Sequence, residues 1–164
     1  AFMWIIQIIN FFLAQQLCNY GIFPRNIYGL PGIIFSPFLH GSFNHLILNS
    51  VPFMILSLLI AGRDRNSYLR ISIFIIFISG IGVWLFGRAS FHVGASGLIF
   101  GYFGYLVARG IYAKSFSALV VALIVIFLYG GLIWGVLPTN PYVSWEGHLF
   151  GLIAGVFTAR SEKR

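Results

Sequence analysis

Long apolar runs, separated by short stretches that hold nearly all of the charge, constrain this chain more than any other feature of its sequence. Only 8% of the 164 residues are charged and 59% are hydrophobic, whereas a soluble domain has about 25% charged residues. Apolar runs that approach about 20 residues have the length of a helix that crosses a bilayer, and they do not alternate as barrel strands do. The sequence therefore predicts an all-α, polytopic integral membrane protein.

Six helical segments are predicted from these runs and from the prolines, glycines and charges between them. We place them at about Phe2–Asn19, Phe43–Ala61, Tyr68–Phe86, Ala95–Arg109, Phe116–Leu137 and Trp145–Arg160. The first segment has no basic leader and no clear small-x-small cleavage site, which favours a true span over a signal peptide. Without a long linker or an obvious repeat, we predict one transmembrane domain over residues 1–164.

The distribution of arginine and lysine predicts the orientation in the membrane. One side has Arg63, Arg65 and Arg70 in the second loop, Arg109 and Lys114 in the fourth loop, and Arg160, Lys163 and Arg164 in the tail. The other side has only Arg25 and Arg88. By the positive-inside rule both termini are cytoplasmic. The net charge of +7 is dispersed over the segment ends, so it does not indicate a nucleic-acid partner.

The first loop is long and unusually apolar for a connection. It lies between Asn19 and Phe43 and is rich in phenylalanine, isoleucine and proline. A solvated or disordered connector has the opposite composition. We therefore expect this loop to lie partly in the outer leaflet.

Several polar side chains fall at a similar depth in different segments. At 1.5 Å per helical residue, Ser96, His148 and Asn49 lie about 18–21 Å from the nearest cytoplasmic arginine, and His45 lies one turn further out. The hydrocarbon core is about 30 Å thick, which puts the first three about 10 Å below its outer boundary. Polar groups at that depth are costly unless they face each other or water. We expect them to meet in one wet pocket.

The stretch Gly94-Ala95-Ser96-Gly97 opens the fourth segment. A serine at a helix N-terminus lies beside free backbone N–H groups and the positive end of the helix dipole, which favour developing negative charge. This placement suits a nucleophile with an adjacent oxyanion site. Packing of small residues between helices accounts for the stretch equally well when it is taken alone.

Glycines recur on one face of the fourth segment and of the sixth. They are Gly97, Gly101 and Gly104 on the fourth, and Gly147, Gly151 and Gly155 on the sixth. Two helices with glycine faces can approach each other closely. Close approach would let His148 reach Ser96 at hydrogen-bond distance. Without the serine, His148 would be explained as well by a packing role.

A carboxylate to orient His148 is not apparent in the sequence. Asp64 and Glu162 fall on the cytoplasmic side, and Glu146 lies two residues away, which turns it about 200° around the helix. The residues therefore favour a Ser–His dyad over a triad. We expect Glu146 to lie at the outer N-terminus of the sixth segment, where its charge is favourable.

Two further polar residues are placed to complete an oxyanion hole. His45 and Asn49 are separated by four residues, so they share a helical face. Their side chains could act with the backbone N–H of Ser96, and the alternative is an ordinary polar contact between helices. We expect His40 to be structural and His92 to hold the third loop.

Taken together, these motifs resemble those of the rhomboid intramembrane serine proteases. The resemblance covers nearly the whole chain and includes six spans and an inserted first loop. Its motifs are His40-x4-His45-x3-Asn49, the Gly-x-Ser-Gly stretch around Ser96, and His148 followed by Gly-x3-Gly. The family often has a Trp-Arg pair in the first loop, which this sequence lacks.

The resemblance implies a six-transmembrane-helix bundle of rhomboid type and a role for each motif residue. Ser96 would be the nucleophile and His148 the general base, with His45, Asn49 and the Ser96 amide stabilising the oxyanion. Phe100 stands where the family commonly has a tyrosine and would stack on the catalytic histidine.

The function implied by the resemblance is cleavage of transmembrane segments of other membrane proteins, without metal or cofactor. Its partners would be transmembrane protein substrates and the lipid bilayer. We expect a bacterial inner membrane location, with the active site open to the periplasmic or extracellular side. The fifth loop is a candidate lid and the fifth helix a candidate gate.

Two alternatives to a protease remain open. One is a non-catalytic membrane chaperone on the same scaffold. The other is a metal transporter or metal-dependent membrane enzyme based on His40, His45, His92 and His148, since imidazoles bind zinc readily. The scarcity of carboxylates and the presence of Asn49, a poor zinc ligand, count against the metal hypothesis.

Overall fold

The structure, a computed structural model, describes residues 1–62 and 64–162. Seven α-helices and no β-strand occur in that part of the chain. The helices are α1 (Phe2–Phe12), α2 (Gly32–Phe35), α3 (Phe43–Ala61), α4 (Arg65–Phe86), α5 (Ser96–Tyr112), α6 (Phe116–Tyr129) and α7 (Trp145–Ser161). Short 3-10 helices cover Gln16–Tyr20, Ile27–Gly29, Ser36–Phe38 and Gly130–Val136. The predicted all-α fold is confirmed.

Three of the described helices are long and apolar enough to cross a membrane. They are α3, α4, and α6 with its 3-10 continuation to Val136. Helices α5 and α7 have 17 residues each, which corresponds to about 26 Å. The orientation of the bundle remains a prediction, and Arg63, Lys163 and Arg164, on which it partly rests, lie outside the described residues.

The first helix is shorter than the sequence predicted. The predicted segment ran to Asn19, but α1 ends at Phe12 and Ala14 and Gln15 adopt the left-handed conformation. The side chain of Asn10 accepts a hydrogen bond from the backbone N–H of Leu17 at 2.9 Å. This local bond gives the backbone an alternative to continuing the helix, so the predicted boundary was wrong.

Other helix boundaries also differ from the prediction, and α5 ends at Tyr112 rather than Arg109. The fifth predicted segment ran as one helix to Leu137, but α6 ends at Tyr129 and a 3-10 helix follows from Gly130. Consecutive glycines at this point weaken the α-helix. Helix α4 begins at Arg65, ahead of the predicted Tyr68, because the Asp64 side chain caps its first turn.

Helix α5 lies at the centre of the bundle, where it packs against α3, α4, α6 and, most extensively, α7. Its side chains Ile99, Tyr102 and Tyr105 are almost completely buried. The Tyr102 hydroxyl lies 2.7 Å from the hydroxyl of Ser72 on α4. Polar groups inside a membrane domain need such partners because lipid offers none.

Glycines allow the backbones of α5 and α7 to touch. A Cβ atom at Gly151 would lie 2.0 Å from the carbonyl oxygen of Gly97, and one at Gly155 would lie 1.9 Å from that of Gly101. Real Cβ atoms do not approach an oxygen so closely. This contact, which we call the glycine seam, therefore requires glycine at both positions.

The first loop is docked onto the C-terminal end of α4. The backbone N–H of Arg25 donates to the Trp84 carbonyl at 2.9 Å, and its guanidinium donates to the Gly87 carbonyl at 2.8 Å. The Trp84 indole returns a bond to the Asn26 carbonyl at 2.9 Å. Between these anchors and α3 the loop exposes apolar side chains such as Tyr28, which is 89% exposed.

Candidate active site

Ser96 is the first residue of α5, and the backbone that leads into it is held by the first loop. The N–H of Gly94 donates to the Ser36 carbonyl at 2.9 Å. The N–H of Ala95 donates to Nε2 of His40 at 3.4 Å. These bonds fix the position at which α5 begins, and with it the position of Ser96.

His40 can accept the Ala95 N–H only while its Nε2 atom is unprotonated. The ring is fully buried, and burial, reinforced by the neighbouring His45, lowers the pKa of His40 to about 4. It is therefore neutral near pH 7. In agreement with the expectation of a structural role, His40 holds the backbone beside Ser96.

Gly94 brings the outer part of α3 against the start of α5. Its φ angle is +118°, and a Cβ atom there would lie 2.6 Å from the His45 ring and 3.5 Å from Nδ2 of Asn49. Only glycine combines this backbone conformation with so close a contact. His45 and Asn49 thus lie against Gly94, which is two residues before Ser96 in the sequence.

Asn49 offers a free hydrogen-bond donor at this point. The residue is 7% exposed, and its Nδ2 atom has no partner within residues 1–62 and 64–162. A buried amide without a partner is costly to the folded state. Such a donor is available to a ligand that carries a negatively charged oxygen.

His148 lies in the second turn of α7, with its ring held on two sides. Nδ1 is 2.7 Å from the carbonyl oxygen of Gly135, and the ring stacks on Phe100 with centroids 4.1 Å apart and planes inclined by 6°. A carbonyl oxygen can only accept, so Nδ1 carries the proton. In the neutral ring Nε2 is then the basic nitrogen.

Ser96 and His148 are each next to a glycine at which α5 and α7 approach each other. A Cβ atom at Gly97 would lie 3.2 Å from the carbonyl oxygen of Gly147, so the backbones beside the two residues are in contact. A hydrogen bond between Ser96 and His148 is not seen among the described residues.

A cleft opens beside Ser96, between the first loop, α4 and the starts of α5 and α7. Its polar lining includes Ser36, Ser79, His92, Ser96 and Ser144. Across the described ranges, 1–62 and 64–162, no group of three or more histidine, cysteine or acidic side chains could hold a metal ion.

An ion pair beside this cleft differs from the simple helix-end charge that we expected at Glu146. Glu146 does lie in the first turn of α7, but it is only 2% exposed. Its carboxylate is 3.6 Å from Nε of Arg88 and accepts the Arg88 backbone N–H at 3.2 Å. The sequence places both Arg25 and Arg88 on the same side as Glu146, so charge alone does not identify Arg88 as its partner.

His92 connects the third loop to two other parts of the molecule. Its backbone N–H and C=O pair with those of Ile22 at 2.9 and 3.1 Å. Nδ1 lies 2.6 Å from the hydroxyl of Ser144, and Nε2 lies 3.1 Å from the carbonyl oxygen of Arg88. The expectation that His92 holds the third loop agrees with these contacts, but its link to Ser144 had no signal in the sequence.

Comparison with known proteins gives one family and several relatives. A family model described as Rhomboid domain matches residues 28–161. An uncharacterised protein of Mycobacterium tuberculosis and one of Mycobacterium bovis are each 34% identical to this chain over 168 residues, covering 97% of it and 70% of the relative. A Mycobacterium leprae protein, also uncharacterised, is 33% identical over 97% of this chain and 66% of its own length.

Proposed function

Because this chain belongs to the rhomboid family, whose members are generally intramembrane serine proteases, we propose that it is an endopeptidase that cleaves transmembrane segments of other membrane proteins. Ser96 is the nucleophile and His148 the general base of a Ser–His dyad. His45, Asn49 and the backbone N–H of Ser96 form the oxyanion hole.

One observation supports this assignment most strongly. The proton on Nδ1 of His148 is held by the Gly135 carbonyl at 2.7 Å, which leaves Nε2 as the nitrogen that can accept a proton. In serine proteases of the triad type a carboxylate sets this tautomer. Here the Gly135 carbonyl sets the tautomer of His148. General-base catalysis by His148 therefore does not need a carboxylate bound to its ring.

The chemistry follows from these positions. The Ser96 hydroxyl attacks the scissile carbonyl carbon while its proton passes to Nε2 of His148. The oxyanion of the tetrahedral intermediate accepts hydrogen bonds from the oxyanion hole, in which Nδ2 of Asn49 has no competing partner among the described residues. The protonated His148 then donates to the leaving amine, and water hydrolyses the acyl-enzyme.

The substrate must be partly unwound to reach Ser96. The carbonyls of an intact transmembrane helix are hydrogen-bonded within that helix, so a segment with small or helix-weakening residues is cleaved most readily. Helix α6 is the proposed gate and residues 137–144 the proposed lid.

The proposed function includes a location in the cell. The chain is an integral membrane protein, and the relatives described above are bacterial. Both support a bacterial inner membrane, with the two termini in the cytoplasm and the active site open to the outer side.

The decisive experiment is cleavage of a model transmembrane substrate by the purified protein in detergent. Ser96→Ala and His148→Ala should each lower kcat more than about 10⁴-fold, and a fluorophosphonate probe should label the wild type but not Ser96→Ala. Ser117→Ala, which removes an exposed serine at the start of α6, is the matched control and should cleave normally. Cleavage that survives both active-site substitutions would refute the dyad, and a folded protein that neither cleaves nor reacts with the probe would favour the chaperone alternative.

A further inference from the structure

A closed chain of hydrogen bonds, which we call the outer ring, joins the third loop to the first turn of α7. The Gly147 N–H donates to Ser144 Oγ at 3.2 Å, and Ser144 Oγ lies 2.6 Å from Nδ1 of His92. Nε2 of His92 lies 3.1 Å from the Arg88 carbonyl, and the Arg88 N–H donates to Glu146 at 3.2 Å. Since Ser144, Glu146 and Gly147 are neighbours in sequence, the chain closes on itself.

The direction of every proton in the outer ring follows from its chemistry. The Arg88 carbonyl can only accept, so Nε2 of His92 carries a proton, and Nδ1 of the neutral ring is an acceptor. The Ser144 hydroxyl must then donate to Nδ1 while it accepts the Gly147 N–H. Burial lowers the pKa of His92, with Glu146 and Arg88 as the charged neighbours, and this keeps the ring in the neutral form that the network requires.

The outer ring lies immediately beside both candidate catalytic residues. His92 is four residues before Ser96, on the loop that leads into α5, and Gly147 directly precedes His148. The glycine seam holds α5 and α7 together along their length. The outer ring joins the loop before α5 to the N-terminal turn of α7. A small displacement of either end would change the distance between Ser96 and His148.

We propose that His92 is a positioning residue, which sets the place of His148 relative to Ser96 through its hydrogen bond to the N-cap residue Ser144. This inference rests on the proposed protease function, because it assigns His92 a part in that reaction. His92 does not contact the reacting atoms.

Two substitutions separate the two bonds of the His92 ring. In His92→Asn the amide oxygen can take the place of Nδ1 and keep the acceptor for Ser144, whereas the bond to Arg88 is lost. In His92→Gln the amide nitrogen can take the place of Nε2 and keep the bond to Arg88, whereas the bond to Ser144 is lost. The bond between loop and helix is the one that positions His148, so asparagine should preserve activity better than glutamine.

Cleavage kinetics in detergent give the first readout. We expect His92→Gln and Ser144→Ala to lower kcat between about 10-fold and 100-fold with KM changed less than about 2-fold. His92→Asn and Ser144→Thr should stay within about 3-fold of the wild type. Asp64→Ala, which removes the comparable cap of α4 on the far side of the molecule, is the control and should leave kcat unchanged. Equal losses in His92→Asn and His92→Gln, or none in either, would overturn the inference.

A second measurement does not depend on activity. Thermal unfolding midpoints of His92→Ala, Ser144→Ala and the double variant form a mutant cycle, and the double variant should lose clearly less than the sum of the single losses. Additive losses would overturn the inference even in an active enzyme. If the wild type cleaves no better than Ser96→Ala, the proposed protease function is refuted, and with it the positioning role of His92. A non-additive cycle would then show only that His92 and Ser144 stabilise the fold together.

Discussion

The two helices that flank α5 on its long sides hold it in different ways. Helix α7 touches the α5 backbone through Gly151 and Gly155, so that the two helices are in contact over most of their length. Helix α6 makes a close approach near the C-terminal end of α5, where a Cβ atom at Gly110 would lie 2.4 Å from the Cβ of Ala122. Beyond that point α6 turns mostly apolar side chains outward, among them Phe127, which is 88% exposed.

This difference separates the closely packed part of the candidate site from the more loosely packed part. Ser96 and His148 lie on the two helices of the glycine seam, whose backbones are in direct contact. The 3-10 helix that follows α6 supplies the Gly135 carbonyl to His148, and it belongs to the more loosely held neighbour. If α6 is the gate that we propose, its movement would act on the hydrogen bond that sets the tautomer of His148.

The largest effect is expected from a substitution that breaks the seam. Gly151→Ala places a Cβ atom 2.0 Å from the Gly97 carbonyl oxygen, which should cost about 3 kcal/mol of stability and abolish cleavage. Gly131→Ala on the α6 side, where a Cβ would meet nothing within 4 Å, should be neutral or stabilising by up to about 1 kcal/mol. Unfolding in detergent measures both, and equal midpoints would contradict the contrast.

A slightly smaller effect is expected from a substitution at Asn49, which should lower catalytic activity and leave the packing of the helices intact. Asn49→Ala removes an amide donor that has no partner in the part of the chain that the structure describes, so we expect kcat to fall about 10²–10³-fold with little loss of stability. Ser50→Ala removes the neighbouring polar group, which accepts from the Trp4 indole at 3.1 Å, and should leave kcat unchanged. An Asn49→Ala enzyme with normal kcat would remove Asn49 from the oxyanion hole.

Phe100 touches both neighbours, since its ring stacks on His148 and a Cβ at Gly135 would lie 2.7 Å from its Cζ. Phe100→Leu should lower kcat about 10-fold because an aliphatic side chain cannot hold the imidazole plane. Phe100→Tyr keeps the ring and should remain near the wild type. Cleavage assays at saturating substrate distinguish the two, and equal losses would assign Phe100 to general packing.

The smallest effects should distinguish the two faces of α6. Val125 is fully buried, and Val125→Ala should cost about 1–2 kcal/mol. Phe127→Ala removes a larger side chain but from the outward face, and should cost less than about 0.5 kcal/mol. Unfolding midpoints in lipid nanodiscs test the pair. A greater loss at Phe127 would mean that the outward face of α6 has a protein partner.

Sequence reasoning succeeded where local chemistry decides the structure. The bounds of α3, Phe43–Ala61, match the prediction, and α7 begins at the predicted Trp145. Both starts follow a serine that caps the helix. Helix α5 begins at Ser96, within one residue of the prediction. The predicted ends of the first and fifth segments were wrong. The Asn10 side chain competes with the helical pattern after α1, and a pair of glycines does so after α6.

The candidate site divides in the same way. The register of His45 with Asn49 on one helical face, and the glycine faces of the fourth and sixth segments, can be read from spacing along the sequence. The burial of Glu146 against Arg88 and the bond between His92 and Ser144 join residues more than fifty positions apart. No periodicity links such residues.

The sequence by itself determined that this chain enters a membrane as helices and which residue types it brings to one depth, because hydrophobic length and helical period are local properties. The tertiary structure decided the tautomer of His148, the groups that surround Asn49 and the closure of the outer ring. Those depend on backbone carbonyls and on distances between helices, and a carbonyl group is the same in every residue. Its effect on a neighbouring imidazole emerges only when the chain has folded.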